Sequence, residues 1–194
     1  MLLIKLLKFI FQVLFFYLIS INIAYTGLQE DLIKKIEATK TLSFDFIQKI
    51  AEKEEIGNCF IKYPLLMKCN YEDLKKKSII SNGKTVAIIK KKYKKIYYYP
   101  LKRTPLFIIL KKDRIINLVK NNKPSKINSD IIEFEFINKK EVKLKIIFEK
   151  NTLEFKGWET IDAYSNDVSF EIYNLKTNNQ IVDDFFKIPQ ESEL

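Results

Sequence analysis

The sequence predicts a mainly β protein with short α-helices, built from antiparallel strands. Apolar residues recur at every second position in many short segments, which is the period of a half-buried strand. Turn signals such as Asn82-Gly83 separate these segments, and strands joined by short turns pair in an antiparallel meander. The chain has 194 residues, of which 47% are hydrophobic and 13% aromatic, and this is enough for one core in one domain.

Residues 1–24 have the pattern of a secretory signal peptide. MLLIKLLK is a short basic start, and the uncharged apolar run from Phe9 to Ala24 ends on a small residue suited to cleavage. The run is shorter than the roughly 20 residues of a membrane-spanning helix, although Asn22 fits a cleavage site poorly and leaves an uncleaved anchor open. No cysteine follows the run, so we expect no lipid-modified N-terminus. We therefore expect an exported domain at residues 25–194.

The first predicted helix precedes the first predicted strand. Thr26 and Gln29 have the spacing of a capping box, and the apolar residues after them recur at helical intervals, which predicts a helix of three to four turns. From Leu42 the period changes to two, with Leu42, Phe44 and Phe46 on one face. This change predicts a half-buried strand packed beside the helix.

A series of short strands follows. Asn82-Gly83 is the firmest hairpin signal among them, and Tyr63-Pro64 and Tyr99-Pro100 mark further turns. The predicted strands are Gly57–Tyr63, Leu66–Tyr71, Lys77–Ser81, Thr85–Lys90 and Lys95–Tyr99.

A second helix interrupts the strands. Thr104 provides a cap, Pro105 suits the first helical position, and the lysines of LFIILKK would lie in the last turn, where the helix dipole favours cations. Residues 113–128 are ambiguous between helix and loop. Alternation of apolar and polar residues then returns, and it predicts strands around residues 132–136, 142–148, 153–155 and 170–172.

The composition excludes several kinds of site. There is no histidine, which removes the commonest metal ligand and the usual acid–base group near neutral pH. Two cysteines alone cannot close a zinc site. Asp162, Glu133 and Glu135 have no companion motif, so we interpret them as solvated strand residues. We expect no metal, no cofactor and no catalytic residue, and the protein is not predicted to be an enzyme.

The basic stretch KKKYKKIYYYP, which begins at Lys90, has two interpretations. The net charge is +10, and lysines beside Tyr97 and Tyr99 could form a surface on which the bases of single-stranded nucleic acid stack. The same lysines fit the solvated tip of a hairpin. We favour the tip and expect no nucleic-acid partner, because an exported protein rarely meets nucleic acid and the glycine-flanked aromatics of RNA-binding sheets are missing from the sequence.

Several short motifs occur in an order typical of one family. They are Gly57 followed by FIKYP, then MKCNY, ISNGKTVAII, KKIYYYPL, TPLFIIL, GWETIDAY and FFKIP. No single motif is specific, but in this order and spacing the chain, from the helix before FDFIQ to FFKIP, resembles the periplasmic outer-membrane lipoprotein carrier family, LolA.

The resemblance implies an unclosed, curved antiparallel β-sheet, or half-barrel, whose apolar concave face is covered by a helical lid. It also implies a monomeric periplasmic carrier that shields the acyl chains of acylated lipoproteins in a hydrophobic cavity. An inner-membrane lipoprotein-releasing ABC transporter would load the carrier, and an outer-membrane lipoprotein receptor would take the cargo. A related periplasmic sensor or receptor of the same fold is the alternative, and a basic polyanion-binding module is a weaker one.

The candidate cavity and lid residues are apolar residues of the strands and of the second helix. Each also fits an ordinary core position, because strand parity alone does not say which face is concave. Phe107 and Leu110 are the stronger candidates, because the family has a lid element at that place. The full set is Phe44, Phe46, Phe60, Tyr63, Met67, Leu106, Phe107, Ile109, Leu110, Phe134, Phe136 and Phe170.

Four further residues need separate interpretation. Tyr63 stands where the family commonly has an arginine that holds the closed lid through backbone carbonyls, so it either latches the lid with its one hydroxyl or is a half-buried strand aromatic. Cys59 and Cys69 lie at equal distances from Pro64 and would face each other in a hairpin, as a disulfide or, if the register slips, as two thiols. Trp158 resembles a structural strand tryptophan of the family.

Overall fold

The computed structural model describes Lys8, Ile10, Gln12 and residues 27–137, 143–162 and 165–194. The strands are β1 (Thr41–Ile50), β2 (Lys53–Lys62), β3 (Leu66–Tyr71), β4 (Lys77–Asn82), β5 (Thr85–Lys90), β6 (Lys95–Pro100), β7 (Lys126–Ile127), β8 (Ile131–Ile137), β9 (Lys143–Glu149), β10 (Phe155–Ile161) and β11 (Asp167–Thr177). They form one antiparallel sheet in the order β6-β5-β4-β3-β2-β1-β11-β10-β9-β8-β7. The sheet does not close into a barrel, so β6 and β7 are its edges and the predicted half-barrel is confirmed.

Alternation along the strands places most of the buried apolar side chains on one face of the sheet, the concave face. A smaller apolar cluster of Ile80, Ala87, Ile89 and Ile96 lies on the opposite face of β4–β6. In β1, Phe44 and Phe46 are buried, and the register places them opposite Cys59 and Gly57 of β2. The same parity continues from strand to strand across the sheet. The main core therefore lies on one side of the sheet, where the helices cover it.

Three helical segments in the described part of the chain form what we call the lid. They are α1 (residues 27–38), α2 (Leu106–Leu110) and α3 (Lys112–Asn121). α1 buries Leu32 and Ile36, four residues apart, in the main core, so the predicted amphipathic helix is confirmed. Its predicted cap, Thr26, lies outside the described residues.

The helix after Pro105 is shorter than predicted. It ends at Leu110, and Lys111 is extended, so the lysines separate α2 from α3 and do not lie in the last turn of α2. Thr104 does not cap α2, because its hydroxyl donates backwards to the carbonyl of Leu101 at 2.9 Å.

Most of the ambiguous segment 113–128 is helical. α3 buries Ile115, Leu118 and Val119, which is the spacing of one helix face. The polar residues on the other side of the helix remain exposed, so this helix covers the sheet on one side only.

The β2–β3 hairpin contains the two cysteines. Cys59 and Cys69 are direct partners across the strands, their Cα atoms are 4.0 Å apart, and their sulfur atoms are bonded. Of the two states that the sequence left open, the structure has the disulfide. It lies on the concave face, because Cys59 pairs with Phe44 on the neighbouring strand.

The C-terminal segment, residues 179–194, crosses the opposite, convex face of the sheet. Phe185 packs edge-on against Phe60 with ring centroids 5.1 Å apart, and the ammonium of Lys68 lies 4.3 Å from the Phe185 ring. Phe60 is therefore not part of the cavity wall, contrary to the sequence-based prediction. Alternation along β2 turns Cys59 to the concave face and its neighbour Phe60 to the convex one.

The basic stretch forms a hairpin tip, as predicted. A 3-10 turn at Lys91–Tyr93 joins β5 to β6, and the lysines around it are exposed. These charges are solvated at the end of the hairpin.

The predicted signal peptide lies outside the described residues, apart from Lys8, Ile10 and Gln12, which are helical and exposed. Within the ranges that the structure describes, no helix is long and apolar enough to cross a membrane.

Candidate functional site

A ladder of aromatic rings crosses the concave face from β10 to β3. Trp158 stacks on Phe170 with centroids 3.9 Å apart, and Phe170 stacks on Phe46 at 4.5 Å. Phe46 then meets the ring of Tyr71 edge-on at 4.9 Å. Each such pair contributes about 0.5–1.5 kcal/mol beyond its buried area. This part of the wall is a packed core, and Trp158 has the structural role that the sequence predicted.

Gly157 brings β10 close to β11 beneath this ladder. Its φ is +151°, and a Cβ at this position would lie 2.1 Å from the carbonyl oxygen of Phe170. No side chain fits there, so this position requires glycine.

The predicted cavity and lid residues fall into three groups. Tyr63, Leu106, Phe107 and Phe136 are half-buried at the margin of the main core, and Phe60 lies on the convex face. The others are buried within the core: Phe44, Phe46, Met67, Ile109, Leu110, Phe134 and Phe170.

An open groove of about 900 Å³ lies at the margin of the core, between the lid and the β8–β9 hairpin. One wall is formed by residues 102–105, which connect β6 to α2, together with Phe107 and Ile108 of α2, and the other by α3. Phe136 of β8 and Leu144 of β9 are direct partners and form its floor. The volume is in the range of small-molecule sites. The apolar lining consists of Pro105, Phe107, Ile108, Leu118, Phe136 and Leu144.

Cations and amides surround this apolar lining. Lys102, Arg103 and Arg114 are exposed, and within the described ranges their side chains form no ion pair or hydrogen bond. The amides of Asn117 and Asn121 face the same space. Among the described lining residues there is no carboxylate, so the potential in the groove is positive.

One polar contact joins α1 to the end of α3. The side-chain amide of Gln29 donates to the carbonyls of Val119 and Asn122, in both cases at 2.8 Å. These carbonyls lie at the C-terminal end of α3, where backbone acceptors lack partners within the helix. Gln29 therefore ties two parts of the lid together.

Two further hydrogen bonds hold the lid. The N–H of Leu65, in the β2–β3 turn, donates to the carbonyl of Leu110 at 2.9 Å, and the ammonium of Lys112 at the start of α3 donates to the carbonyl of Glu37 in α1 at 3.0 Å. The ring of Tyr63 lies 5.5 Å from that ammonium, and burial raises the pKa of its phenol. Among the described residues the Tyr63 hydroxyl makes no hydrogen bond to a lid carbonyl, so other groups make the contacts expected of a latch.

The space beneath α1 is nearly filled. A cavity of about 30 Å³ remains there, lined among others by Ile36, Tyr63, Ile115 and Phe148. This is about the volume of one water molecule in the liquid. A long apolar ligand cannot enter beneath α1 unless the helix moves.

A second polar region lies on the β1–β4 side of the concave face. Lys53 and Lys77 both pair with Glu55, and the Lys77 ammonium lies 3.7 Å from the centroid of the Tyr71 ring. The Tyr71 hydroxyl donates to Gln48 at 2.7 Å. Burial alone would raise the pKa of Glu55, but hydrogen bonds from the two lysines outweigh it and lower that pKa, whereas burial lowers the pKa of Lys77.

Sequence reasoning found part of the groove. It identified Phe107 and Phe136 but not the cations Lys102, Arg103 and Arg114. Two signals were available: a pair of cations directly before the α2 signal, and the helical spacing of apolar residues in the segment left ambiguous.

Residues 37–189, most of the chain, match the family model of the outer membrane lipoprotein carrier protein LolA. The sequence matches none of the curated proteins with which it was compared.

Several solved structures are similar to this chain at low sequence identity. An uncharacterised conserved protein from Thermus thermophilus is 7% identical, with a TM-score of 0.51 over 84% of this chain and 94% of the other. A LolA superfamily protein from Nitrosomonas europaea is 8% identical, with a TM-score of 0.46 over 84% of this chain and 97% of the other. In the MucA/MucB complex from Pseudomonas aeruginosa, the matched chain is 7% identical, with a TM-score of 0.48 over 84% of this chain and 60% of the other.

Proposed function

The chain belongs to the outer membrane lipoprotein carrier protein family LolA, and from this premise we propose that it is a periplasmic carrier that shields the acyl chains of lipoproteins. An inner-membrane lipoprotein-releasing ABC transporter loads it, and an outer-membrane lipoprotein receptor takes the cargo. The role is binding and transfer, so no residue is assigned a catalytic step.

The observation that supports this role most directly is the groove at the margin of the core. Six of its lining residues are apolar, and two of them, Phe107 and Phe136, connect it to the buried face of the sheet. An acyl chain in the groove would extend the core that already lies beneath the lid.

The energetics of transport require such a site. Each exposed methylene costs about 0.8 kcal/mol, so a chain of roughly 14 methylenes costs about 11 kcal/mol in water. Exported cargo must therefore be covered between the two membranes. The apolar lining of the groove offers that cover.

The lid gives a way to release the cargo. Its own residues, such as Leu32, Ile109 and Leu118, fill the concave face when no cargo is present. Cargo that enters beneath the lid replaces these side chains, so the net gain on loading is smaller than the full transfer energy. Because the free energy of loading is moderate, a receptor that binds the cargo more tightly can take it from the carrier.

Mass spectrometry of what co-purifies with the protein from its native periplasm tests the proposal. Acylated proteins should be bound to the wild type and depleted from Phe107→Ser, which places a polar group in the groove. Phe185→Ser is the matched control, because it makes the same change on the convex face.

Each of the other results would contradict the carrier role or the place of the acyl chains in the groove. Capture of a protein without acyl chains would favour a sensor of the same fold. Nucleic acid without lipid would favour the polyanion-binding alternative. Equal loss of cargo from both variants would mean that the groove does not hold the acyl chains.

A further inference from the structure

The groove combines apolar lining residues with cations that lack partners in the described part of the chain. Elsewhere on the sheet some lysines are paired with carboxylates, as Lys77 is with Glu55 and Lys145 with Glu159. Lys102, Arg103 and Arg114 have no such partner in the described part of the chain. Asp113 is next to Arg114 in the sequence, but it does not line the groove, and successive helix residues point in different directions.

The three cations come from two different elements. Lys102 and Arg103 precede α2, whereas Arg114 lies on α3, so an anion between them would be approached from both walls. Guanidinium groups bind carboxylates with two parallel hydrogen bonds, which adds geometric selectivity to charge. The groove is therefore suited to a ligand with an apolar part and an anionic part next to each other.

We propose that the groove selects acylated proteins in which acidic residues directly follow the acyl chains. This inference rests on the proposed carrier function and names the class of cargo. The acyl chains lie on Phe107, Phe136 and their neighbours, and the carboxylates meet Lys102, Arg103 and Arg114.

The amides favour a peptide over a free anionic lipid. Asn117 and Asn121 each offer both donors and an acceptor, which match the N–H and C=O groups of a peptide backbone. A phosphate group has acceptors only, so it would leave the amide oxygens unused. The amides therefore fit a peptide backbone better than a phosphate.

Two matched palmitoyl peptides provide the test, measured by titration calorimetry on the complete mature protein. One carries Asp and Glu after the acyl group, and the other carries Asn and Gln at the same positions. We expect the acidic peptide to bind roughly tenfold more tightly at low salt, because several exposed charge pairs act together. The ratio should approach one in 0.5 M NaCl, since screening is strong for exposed charges.

Two triple variants locate the effect. In K102Q/R103Q/R114Q the preference for the acidic peptide should disappear while binding of the neutral peptide is kept. K91Q/K92Q/K94Q removes the same charge from the exposed hairpin tip and should retain the preference.

The outcomes separate the two proposals. Equal binding of both peptides to the wild type would overturn the selection of acidic cargo while leaving the carrier role intact. Binding of neither peptide would count against the carrier role itself. A preference lost only in the hairpin-tip variant would overturn the groove assignment. Tighter binding of lysophosphatidylglycerol than of the acidic peptide would show that the anionic occupant is a free lipid.

Discussion

The two sides of the concave face differ in whether their charged side chains have partners. On the β1–β4 side, Glu55 is paired with Lys53 and Lys77, and the disulfide of Cys59 and Cys69 joins two neighbouring strands. On the β8–β9 side, the groove exposes cations that have no partner in the described residues. On the β1–β4 side these charged groups pair with one another, whereas the β8–β9 side presents charge and apolar surface to a ligand.

This difference indicates that the stability of the fold and the binding of a ligand depend on different strands. Changes on the β1–β4 side should alter the free energy of unfolding and leave ligand binding almost unchanged. Changes around the groove should do the reverse. Four changes to the protein test this separation, in order of decreasing effect on the free energy of unfolding.

Reduction of the disulfide should lower the free energy of unfolding by roughly 3 kcal/mol, because the bond closes a loop of about eleven residues in the unfolded chain. Urea denaturation with and without reductant measures the change. Cys59→Ala/Cys69→Ala is the control and should not respond to reductant. Alkylation of both cysteines in the unreduced protein would contradict the prediction.

Glu55→Gln should lower the free energy of unfolding at pH 7 by about 2 kcal/mol, because hydrogen bonds to charged groups contribute roughly 1.5–3 kcal/mol. The folded pKa of Glu55 lies below its ordinary value, so its carboxylate stabilises the fold above the unfolded pKa. That contribution is lost as the pH falls through the folded pKa. Urea denaturation from pH 7 to pH 3 should thus show a steeper loss in the wild type than in the variant.

Glu52→Gln is the matched control for Glu55→Gln, since Glu52 is exposed on the neighbouring turn. It should change the free energy of unfolding by less than about 0.5 kcal/mol. Equal effects of the two variants would show that the paired cluster does not stabilise this side.

Gln29→Met should lower the free energy of local opening of the lid by about 1 kcal/mol. The substitution removes two hydrogen bonds to carbonyls at the end of α3 while keeping the length of the side chain. Amide hydrogen exchange in α3 should become several-fold faster. Glu30→Gln, exposed on the same helix, should leave that exchange unchanged. Unaltered exchange in Gln29→Met would mean that the hydrogen bonds of Gln29 do not hold α3, and that packing and the other lid contacts do.

K102Q/R103Q/R114Q should have the smallest effect on stability, within about 0.5 kcal/mol of the wild type, because the three side chains are exposed and unpaired in the described structure. Thermal unfolding measures it. A loss above 1 kcal/mol would show that these cations support the fold, and the contrast between the two sides would fail.

The strands were predictable because one physical rule defines them. β3 (Leu66–Tyr71) and β5 (Thr85–Lys90) have the bounds that alternation and turn signals predict. The hairpin signal at Asn82-Gly83 also holds, since Gly83 has a φ of +92° at the first position of the β4–β5 loop.

The positions that sequence reasoning misjudged depend on what covers each face. Alternation shows that Phe60 and Cys59 point in opposite directions, but not which of them points to the lid. Phe60 is apolar because residues 179–194 cover the convex face, and a contact over that distance in the chain leaves no local pattern. The groove was missed for a similar reason, since its walls are joined only in three dimensions.

The C-terminal segment also affects how readily the protein aggregates. β6 is an edge of the sheet, and Glu191 accepts a hydrogen bond at 3.0 Å from the outward N–H of Ile96, while Pro100 has no N–H to offer. Unoccupied edges are templates on which a second molecule can add a strand and start aggregation. The carboxylate of Glu191 thus occupies one outward donor of this edge, and we expect chains shortened before it to be more prone to aggregate at high concentration.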